Sequence, residues 1–381
     1  MLTNPQQWLM VSGFLAVIAV VPVAQGIVEA FDGQVPQCFD LLRHVPTQAN
    51  LRTFEKDLED RSIFAQSARP WIQYARFIVF RDAGEKVLFG RDGWLFYRPD
   101  VRYLVDSAPI EEEDPLDAVR DFRDQLAARG IHLIVIPMPG KPSIYGNMLT
   151  RRIKAPQEVV SPTTAWIERL RASDIETVDL FHLFEKVNAA PYYLARDTHW
   201  SPEAAERAAV AVAERIRELG WIADGSTEYD VRPVDVNRSS DIARMTRVAL
   251  IEASFPTERV VSHQVFEQSN GAKYRDDPTS PVLVLGDSFL RIYQTDAPTS
   301  AGFIAHLARE LRQPVASVVN DGGASTLVRQ ELARRPQLLA GKKVVIWEFV
   351  ERDIRFGTEG WKRVPLSTDT RAAMPAPSRN P

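Results

Sequence analysis

The sequence predicts an α/β fold in which a parallel sheet is covered by helices on both faces. From residue 116 onward, strand-length apolar runs alternate with amphipathic helical patterns. Strands are predicted at 131–138, 176–180, 281–285, 315–319 and 343–348, and helices at 116–130, 164–172, 202–219, 302–312 and 326–335. Alternation of this kind is typical of crossover connections between parallel strands.

Two of the predicted helices carry end signals. The 116–130 pattern, LDAVRDFRDQLAARG, ends on Gly130, a residue type that commonly terminates a helix. The 202–219 pattern follows Ser201, which suits the N-cap, and begins with Pro202 at the first helical position. These signals indicate where the loops between elements lie.

The segment PVLVLGDSFL (281–290) combines a strand signal with a reactive residue type. Its first five residues are apolar and rich in β-branched side chains, as in a strand buried on both faces of a sheet. Gly286 allows a sharp turn, so Ser288 lies at the carboxyl end of a strand, where open α/β sheets gather their chemistry. Ser288 is therefore the candidate nucleophile, although a Gly-Asp-Ser turn is also an ordinary loop.

A serine nucleophile needs an imidazole to take its proton and a carboxylate to hold that imidazole. Asp197 and His199 offer both groups within three residues. Side chains at positions i and i+2 of an extended segment project to the same side, so Asp197 can reach one ring nitrogen while the other faces the serine. The sequence predicts a catalytic triad in the order Asp197, His199, Ser288.

Six short segments follow one another between residues 88 and 352: GRDGWLFY (90–97), IPMPGKPSIYG (136–146), RDTHWSPEAAERAA (196–209), VLGDSFL (284–290), NDGGAS (320–325) and VIWEFVER (345–352). As a set they resemble the alginate O-acetyltransferase AlgJ/AlgX family, a branch of the SGNH-hydrolase fold. The resemblance implies a three-layer sandwich that transfers acetyl groups. Typical SGNH esterases carry the serine first and a D-x-x-H near the end, whereas D-x-H precedes the serine here, in the permuted order of this branch.

An acyl-transfer serine also needs hydrogen-bond donors for the oxyanion of its tetrahedral intermediate. The Ser288 backbone N–H is one candidate. Asn320 and Gly322 are others if the strand before them neighbours the nucleophile strand, although a plain strand-to-helix turn explains them equally well. Lys141 and Tyr145 follow another strand of the same sheet and are candidate substrate contacts.

Composition narrows the function further. The 381 residues are 45% apolar, and the formal net charge of −4 gives no sign of a nucleic-acid surface, which needs concentrated basic residues. The single cysteine, Cys38, cannot form an internal disulfide and lies outside any metal-ligand cluster. The sequence predicts no cofactor and no metal.

Residues 1–29 are predicted to be a signal anchor or a signal peptide. Residues 1–28 lack charged side chains, and the apolar run at 8–24 would nearly span a bilayer core at about 1.5 Å per helical residue. The run is long for a signal peptide but has no basic residues before it, so retention and cleavage both stay open. A buried core helix is the remaining alternative.

The rest of the chain divides into three parts. Residues 30–87 are predicted to be a linker with helical pieces, 88–352 the SGNH-like domain, and 353–381 a disordered tail. An interval rich in Arg, Asp, Ser and Pro, 221–277, is expected to leave the sheet near the rim of the active site. Its arginines at 238, 244 and 247 either face an anionic sugar or form a solvated surface with the nearby aspartates.

The resemblance implies a bacterial periplasmic enzyme, which the amino-terminal run would either anchor to the inner membrane or release after cleavage. It also implies that the enzyme moves an acetyl group through an acetyl-serine onto hydroxyls of an exopolysaccharide, alginate-like or other. The resemblance implies a membrane-bound O-acyltransferase as the acetyl supplier, and it is closer to AlgJ because no carboxyl-terminal carbohydrate-binding module is apparent. The alternatives are a carbohydrate acetylesterase with the same triad and a non-catalytic polysaccharide-binding or assembly subunit.

Overall fold

The computed structural model of the chain describes residues 4–35, 47–106, 114–185 and 191–367. Two units are distinguished by their internal contacts. One comprises Met1–Ala83 with Val248–Ile251, and the other comprises Gly84–Arg247 with Glu252–Pro381.

The strands are β1 Val87–Phe89, β2 Leu95–Tyr97, β3 His132–Met138, β4 Glu176–Thr177, β5 Tyr229–Arg238, β6 Glu258–Glu267, β7 Val282–Gly286, β8 Ala316–Val319 and β9 Val344–Val350. The helices are α1 Asn4–Phe31, α2 Gln48–Arg61, α3 Ile63–Phe80, α4 Arg98–Val105, α5 Pro115–Ala127, α6 Lys141–Ile144, α7 Gly146–Leu149, α8 Pro162–Arg171, α9 Leu180–Glu185, α10 Pro202–Leu219, α11 Asp241–Arg244, α12 Ala249–Glu252, α13 Ser288–Arg291, α14 Phe303–Leu311, α15 Leu327–Ala333 and α16 Asp353–Phe356. Short 3-10 turns lie at Pro156–Glu158 and Pro336–Leu339.

The central sheet of the second unit is parallel, with the strand order β4-β3-β9-β7-β8. Strand β7 lies between β9 and β8, where Leu285 pairs with Trp347 and Gly286 pairs with Val319. Since parallel strands end at a common edge, the loops after β3, β7, β8 and β9 meet there. The predicted α/β fold with a parallel central sheet is confirmed.

Alternate side chains of β3, β7 and β9 enter two separate cores, one on each face of the sheet. In β7, Val282 and Val284 belong to one core, and Leu283 and Leu285 belong to the other. Buried side chains of α9, α10 and α14 close the first core, and those of α5, α8 and α15 close the second. Because both faces are covered, the central strands need apolar residues at nearly every position, and the sequence shows this pattern with Glu348 as the exception in β9.

The interval 221–277 leaves this sheet. Strands β5 and β6 pair antiparallel with each other over ten residues each and form a separate two-stranded sheet. Arg238 ends β5, and α11 begins three residues later. This excursion therefore delivers charged side chains from outside the central sheet.

Helices α1, α2 and α3 belong to the first unit. In its last two turns α1 carries Gln25 and Glu29, both buried and hydrogen-bonded to each other at 2.8 Å, and Gln25 also accepts from the Ile63 N–H at 2.9 Å. Across the part of the chain that the structure describes, no helix is long and apolar enough to cross a membrane. The membrane segment predicted in residues 1–29 is not supported. Cys38 lies outside the described residues.

The carboxyl-terminal segment differs from the predicted disordered tail. Helix α16 follows β9, and Trp361 is buried, with its indole N–H donating to Asp353 O at 2.8 Å. Further on, the Leu366 N–H donates to Gln125 Oε1 at 2.6 Å. The large apolar side chains give this segment enough burial to pack on the domain, so residues 353–367 are part of it. Residues 368–381 lie outside the described residues.

Candidate active site

Ser288 lies at a sharp change from strand to helix. It is the first residue of α13, and only Asp287 separates it from β7. The Asp287 carboxylate caps the helix by accepting from the Phe289 N–H at 2.8 Å. Gly286 is needed because a Cβ there would lie 2.3 Å from Glu348 Oε2. The turn therefore presents Ser288 at the edge where the strands end.

The structure brings the three predicted triad residues into one hydrogen-bonded chain. His199 Nε2 lies 2.9 Å from Ser288 Oγ, and His199 Nδ1 lies 2.7 Å from Asp197 Oδ1. The same Asp197 oxygen accepts from the His199 backbone N–H at 3.1 Å. With Nδ1–H directed at the carboxylate, the Nε2 lone pair is directed at the serine hydroxyl, as a general base requires.

The loop that carries His199 is fixed by the two residues that follow it. Ser201 caps α10 through its hydroxyl. Trp200 is 1% exposed, and its indole N–H donates to Phe289 O at 3.0 Å. Since Phe289 follows the nucleophile directly, this bond ties the loop to α13 and sets the separation of His199 from Ser288.

A second carboxylate, Asp241, lies beside the imidazole, and sequence reasoning did not predict it as a site residue. Its Oδ2 lies 3.4 Å from His199 Nδ1. Asp241 also accepts from the Thr198 N–H at 2.8 Å and from the Thr198 hydroxyl. The sequence signal was weak, since Asp241 is one of several acids in the 221–277 interval and is marked only by the preceding helix-capping Ser240.

The excursion also contributes an arginine to the relay. Arg238 Nη2 donates to Asp197 Oδ2 at 3.1 Å, and the Arg238 side chain is 14% exposed. Arg244 and Arg247 are exposed. Of the three arginines singled out in the sequence, Arg238 is thus turned inward onto the triad acid.

Burial and the neighbouring carboxylates act on the pKa of His199 in opposite directions. Burial by itself lowers the pKa of an imidazole, but the hydrogen bonds to Asp197 and Asp241 outweigh it and raise the pKa of His199 to about 9. For Asp197, burial favours the neutral form, yet His199 and Arg238 hold the pKa of the carboxyl well below its usual range. The acid therefore stays ionised and the imidazole is a strong base.

The site also contains a group of side chains that could hold a metal ion. One possible ligand atom from each of Asp197, His199 and Asp241 lies within 4.8 Å of the others, and no other group of three or more His, Cys, Asp or Glu side chains in the described ranges is arranged in this way. The arrangement fits a proton relay better. Both ring nitrogens of His199 already have partners, and Asp197 is paired with Arg238. A cation would have to displace these contacts.

The structure gives Lys141 and Tyr145 contacts within the protein, and their contact with substrate stays a prediction. Lys141 is 1% exposed, and its ammonium donates to three backbone oxygens, those of Leu95, Leu194 and Ala195, at 2.7–3.0 Å. Burial lowers the pKa of Lys141 to about 8. The Tyr145 hydroxyl accepts from a backbone N–H at 2.8 Å, and its ring packs on Trp94. Both residues brace the chain that leads to the triad loop.

Asn320 and Gly322 likewise use their polar groups in and around their own turn. Asn320 Nδ2 donates to Glu331 Oε2 at 3.1 Å, and the Gly322 N–H donates to Asn320 Oδ1 at 2.9 Å. This arrangement does not support the predicted oxyanion role. Asn320 lines a cavity of about 470 Å³ together with Leu290 and Arg291 of α13, so a substrate contact stays a prediction.

Two buried acids support the nucleophile turn from behind. Glu348 Oε2 accepts from the Asp287 N–H at 3.2 Å, and the two residues are 1% and 4% exposed. Burial raises the pKa of both carboxyls, and the nearby charge of Asp287 raises that of Glu348 further. The signal for Glu348 was its position inside the otherwise apolar run VVIWEFV (344–350).

A Ser–His–Asp relay at the carboxyl edge of a parallel sheet, with helices on both faces, is the arrangement of a serine-dependent acyl-transfer enzyme. The family model described as "SGNH hydrolase-like domain, acetyltransferase AlgX" matches residues 87–351. The chain belongs to this family, which confirms the AlgJ/AlgX membership predicted from the six segments.

Individual relatives agree. The chain is 25% identical over 289 residues to the probable alginate O-acetylase AlgJ of Pseudomonas putida KT2440. The matched segment covers 72% of this chain and 72% of the relative. The fold is similar to that of the O-acetyltransferase domain of Pseudomonas putida AlgJ, with a TM-score of 0.55 and 21% identity over 71% of this chain and 92% of that one. It is also similar to Pseudomonas aeruginosa AlgX, with a TM-score of 0.54 and 20% identity over 69% of this chain and 61% of that one.

Proposed function

We propose that this protein is a periplasmic O-acetyltransferase that moves an acetyl group through an acetyl-serine onto hydroxyls of an exopolysaccharide, alginate-like or other. The observation that carries the proposal is the unbroken hydrogen-bonded chain from Asp197 through His199 to Ser288 in a member of this family. The name of the curated relative, probable alginate O-acetylase, supports both the acetyl group and an alginate-like acceptor.

In the first half-reaction, His199 Nε2 takes the proton of the Ser288 hydroxyl while the serine oxygen attacks the acetyl carbonyl of the donor. The tetrahedral intermediate collapses as the donor oxygen or sulfur leaves with the proton held by His199. Asp197 stabilises the imidazolium that exists between these two events. The Ser288 backbone N–H has no acceptor inside α13 because it is the first residue of the helix, so it is the oxyanion donor that this arrangement favours.

In the second half-reaction, His199 takes a proton from a sugar hydroxyl, and the sugar oxygen attacks the acetyl-serine. The serine oxygen then leaves and regains a proton from His199. Water in place of the sugar would give acetate, so the balance of transfer and hydrolysis depends on which nucleophile reaches the acetyl-enzyme first.

The donor side of the reaction requires a supplier. We expect a membrane-bound O-acyltransferase to deliver the acetyl group, and we expect the protein to act in the periplasm. Fractionation of cells that express the full chain checks the compartment: acetyltransferase activity should follow a periplasmic marker enzyme. Activity confined to the cytoplasmic fraction would contradict the location and leave the chemistry standing.

The chemistry is tested by incubating the full chain with an activated acetyl ester and an acidic oligosaccharide. Wild-type protein should consume the ester, acetylate the sugar and carry an acetyl group on the peptide that contains Ser288. Ser288→Ala should reduce all three to background, and His199→Ala should be nearly as damaging. Ser269→Ala is the matched control, because Ser269 is exposed and bonds only its neighbour Glu267 in the structure.

Each outcome separates one reading from the others. Acetate without acetylated sugar indicates an esterase. A Ser288→Ala protein as active as the Ser269→Ala control would rule out the acetyl-serine, and a wild-type chain that binds the sugar but consumes no ester would indicate a binding or assembly subunit.

A further inference from the structure

Two residues of the excursion, three positions apart, approach the triad with opposite charge. Arg238, at the end of β5, donates to Asp197 Oδ2, the oxygen that does not face the imidazole. Asp241, at the start of α11, places its Oδ2 3.4 Å from His199 Nδ1, which makes it a second acid within reach of the same ring nitrogen.

Packing and hydrogen bonds fix the positions of both side chains. The Arg238 guanidinium is largely buried, lies 5.5 Å from the Tyr293 ring centroid, and has a buried Nε with no hydrogen-bond acceptor in the described structure. Asp241 is 9% exposed and is fixed by two hydrogen bonds from Thr198, the residue between the triad acid and base. Arg238 therefore has Asp197 as its charged partner, and Asp241 is tied to the triad loop through Thr198.

We infer that Arg238 and Asp241 are an opposed pair of positioning residues that set how readily His199 accepts the serine proton. Asp241 adds negative charge at Nδ1 and makes the imidazole hold a proton more tightly. Arg238 offsets the charge of Asp197 and makes the imidazole release it more readily. Only the kinetic readout of this pair rests on the proposed acetyl transfer.

Two further charged side chains act on this group of residues. Asp287 faces His199 from the turn after β7, and Lys141 faces Asp197 and Asp241 from α6. With two acids closest to the ring, the pKa of His199 lies near 9, so most imidazoles are protonated at neutral pH. The rate of acetylation should therefore rise towards alkaline pH. A change in the charge beside His199 should shift the pH at which this rise occurs.

The test is the pH profile of kcat/KM for an activated acetyl ester, measured on the full chain and on single variants. Asp241→Asn should move the acidic limb to lower pH by about one unit, and Arg238→Met should move it to higher pH by about one unit, in line with the effect of one nearby charge. Arg238→Lys should restore the limb. Arg244→Met is the matched control, since Arg244 is exposed on the same excursion and should leave the limb in place.

A second measurement does not depend on turnover. The imidazole of His199 can be titrated by NMR in the Ser288→Ala protein with and without each substitution, and its pKa should fall with Asp241→Asn and rise with Arg238→Met. Shifts in the same direction, or no shift in correctly folded variants, would overturn the inference. If the shifts appear but no variant and no wild-type protein consumes ester, the proposed function fails and the pairing of charges stands.

Discussion

Asp197 is the residue at which the charges of the site converge. One oxygen holds His199 and the other accepts from Arg238. Asp197→Asn keeps a side chain of the same size but removes the charge that stabilises the imidazolium and favours the wrong tautomer of the ring. We expect kcat to fall by roughly 10³- to 10⁴-fold, which is less than for Ser288→Ala.

Steady-state kinetics with an activated acetyl ester measures this loss. Asp235→Asn is a suitable control, because Asp235 pairs with Arg259 on the exposed face of the excursion. A loss equal to that of Ser288→Ala would show that the Asp197→Asn substitution disrupts the site as a whole, and an unchanged rate would contradict the role of Asp197.

The ammonium group of Lys141 donates its hydrogen bonds to backbone oxygens. Lys141→Met removes the donor to three carbonyls. Ala195 O keeps the Leu95 N–H as a donor, whereas the buried Leu95 O and Leu194 O each lose the ammonium, and a buried carbonyl left without a partner costs about 1–3 kcal/mol. We expect the free energy of unfolding to fall by at least about 2 kcal/mol, as measured by urea denaturation.

Lys273→Met is the control for that substitution, since Lys273 is exposed, and it should change stability by less than about 0.5 kcal/mol. The predicted substrate contact would instead raise KM while leaving the urea midpoint unchanged. The two readings of Lys141 are thus separated by one pair of measurements.

At the scale of elements, the bond from Trp200 to Phe289 O joins the loop before α10 to α13. Trp200→Phe keeps most of the aromatic packing but leaves a buried carbonyl beside the nucleophile without its donor. We expect a loss of about 1–3 kcal/mol in the free energy of unfolding and a drop in kcat that exceeds any change in KM, because the approach of His199 to Ser288 loosens.

Thermal melting and steady-state kinetics check this expectation. Trp221→Phe serves as the control, because Trp221 stacks on His132 at the start of β3, the opposite edge of the sheet. An equal fall in kcat for both variants would point to general destabilisation in place of a specific tie.

The elements that carry the triad could be predicted because their signals are local. D-x-H and G-D-S each put the needed groups within three residues, and the strand and helix periodicity around them placed both loops at one sheet edge. The internal hydrogen bonds of Lys141 and Asn320 could not be predicted, because the partners of a polar side chain depend on how distant parts of the chain pack together. Arg238 and Asp241 could not be predicted as site residues either. They lie in an interval without a regular pattern, and only the packing of distant parts of the chain brings them to the triad.

At the scale of the whole molecule, buried carboxyls make stability depend on pH. Glu351 is fully buried, and burial raises its pKa to about 7, although hydrogen bonds from Ser143, Ser161, Gly140 and Thr163 lower it. Because the folded-state pKa lies above the unperturbed value of 4.5, the stabilisation is complete below about pH 4.5 and is lost as pH rises through 7. The loss amounts to about 3 kcal/mol.

Glu351→Gln should therefore flatten the pH dependence of the unfolding free energy between pH 4.5 and 7, whatever its effect on absolute stability. Urea denaturation at a series of pH values measures the slope. Glu359→Gln, at an exposed position, should keep the wild-type slope, and a Glu351→Gln protein that also keeps it would contradict the assignment.

The strand order of the sheet has a consequence for biogenesis. The nucleophile strand β7 has β9 as one of its two neighbours, and β9 also supplies the Glu348 oxygen that receives the Asp287 N–H. In chain order β9 comes last in the sheet, so a polypeptide that is still being synthesised carries the serine, the histidine and the aspartate before the strand that supports the nucleophile turn. We therefore expect acetyl transfer to begin only once β9 has paired between β3 and β7, because the Asp287 N–H lacks its Glu348 acceptor until then.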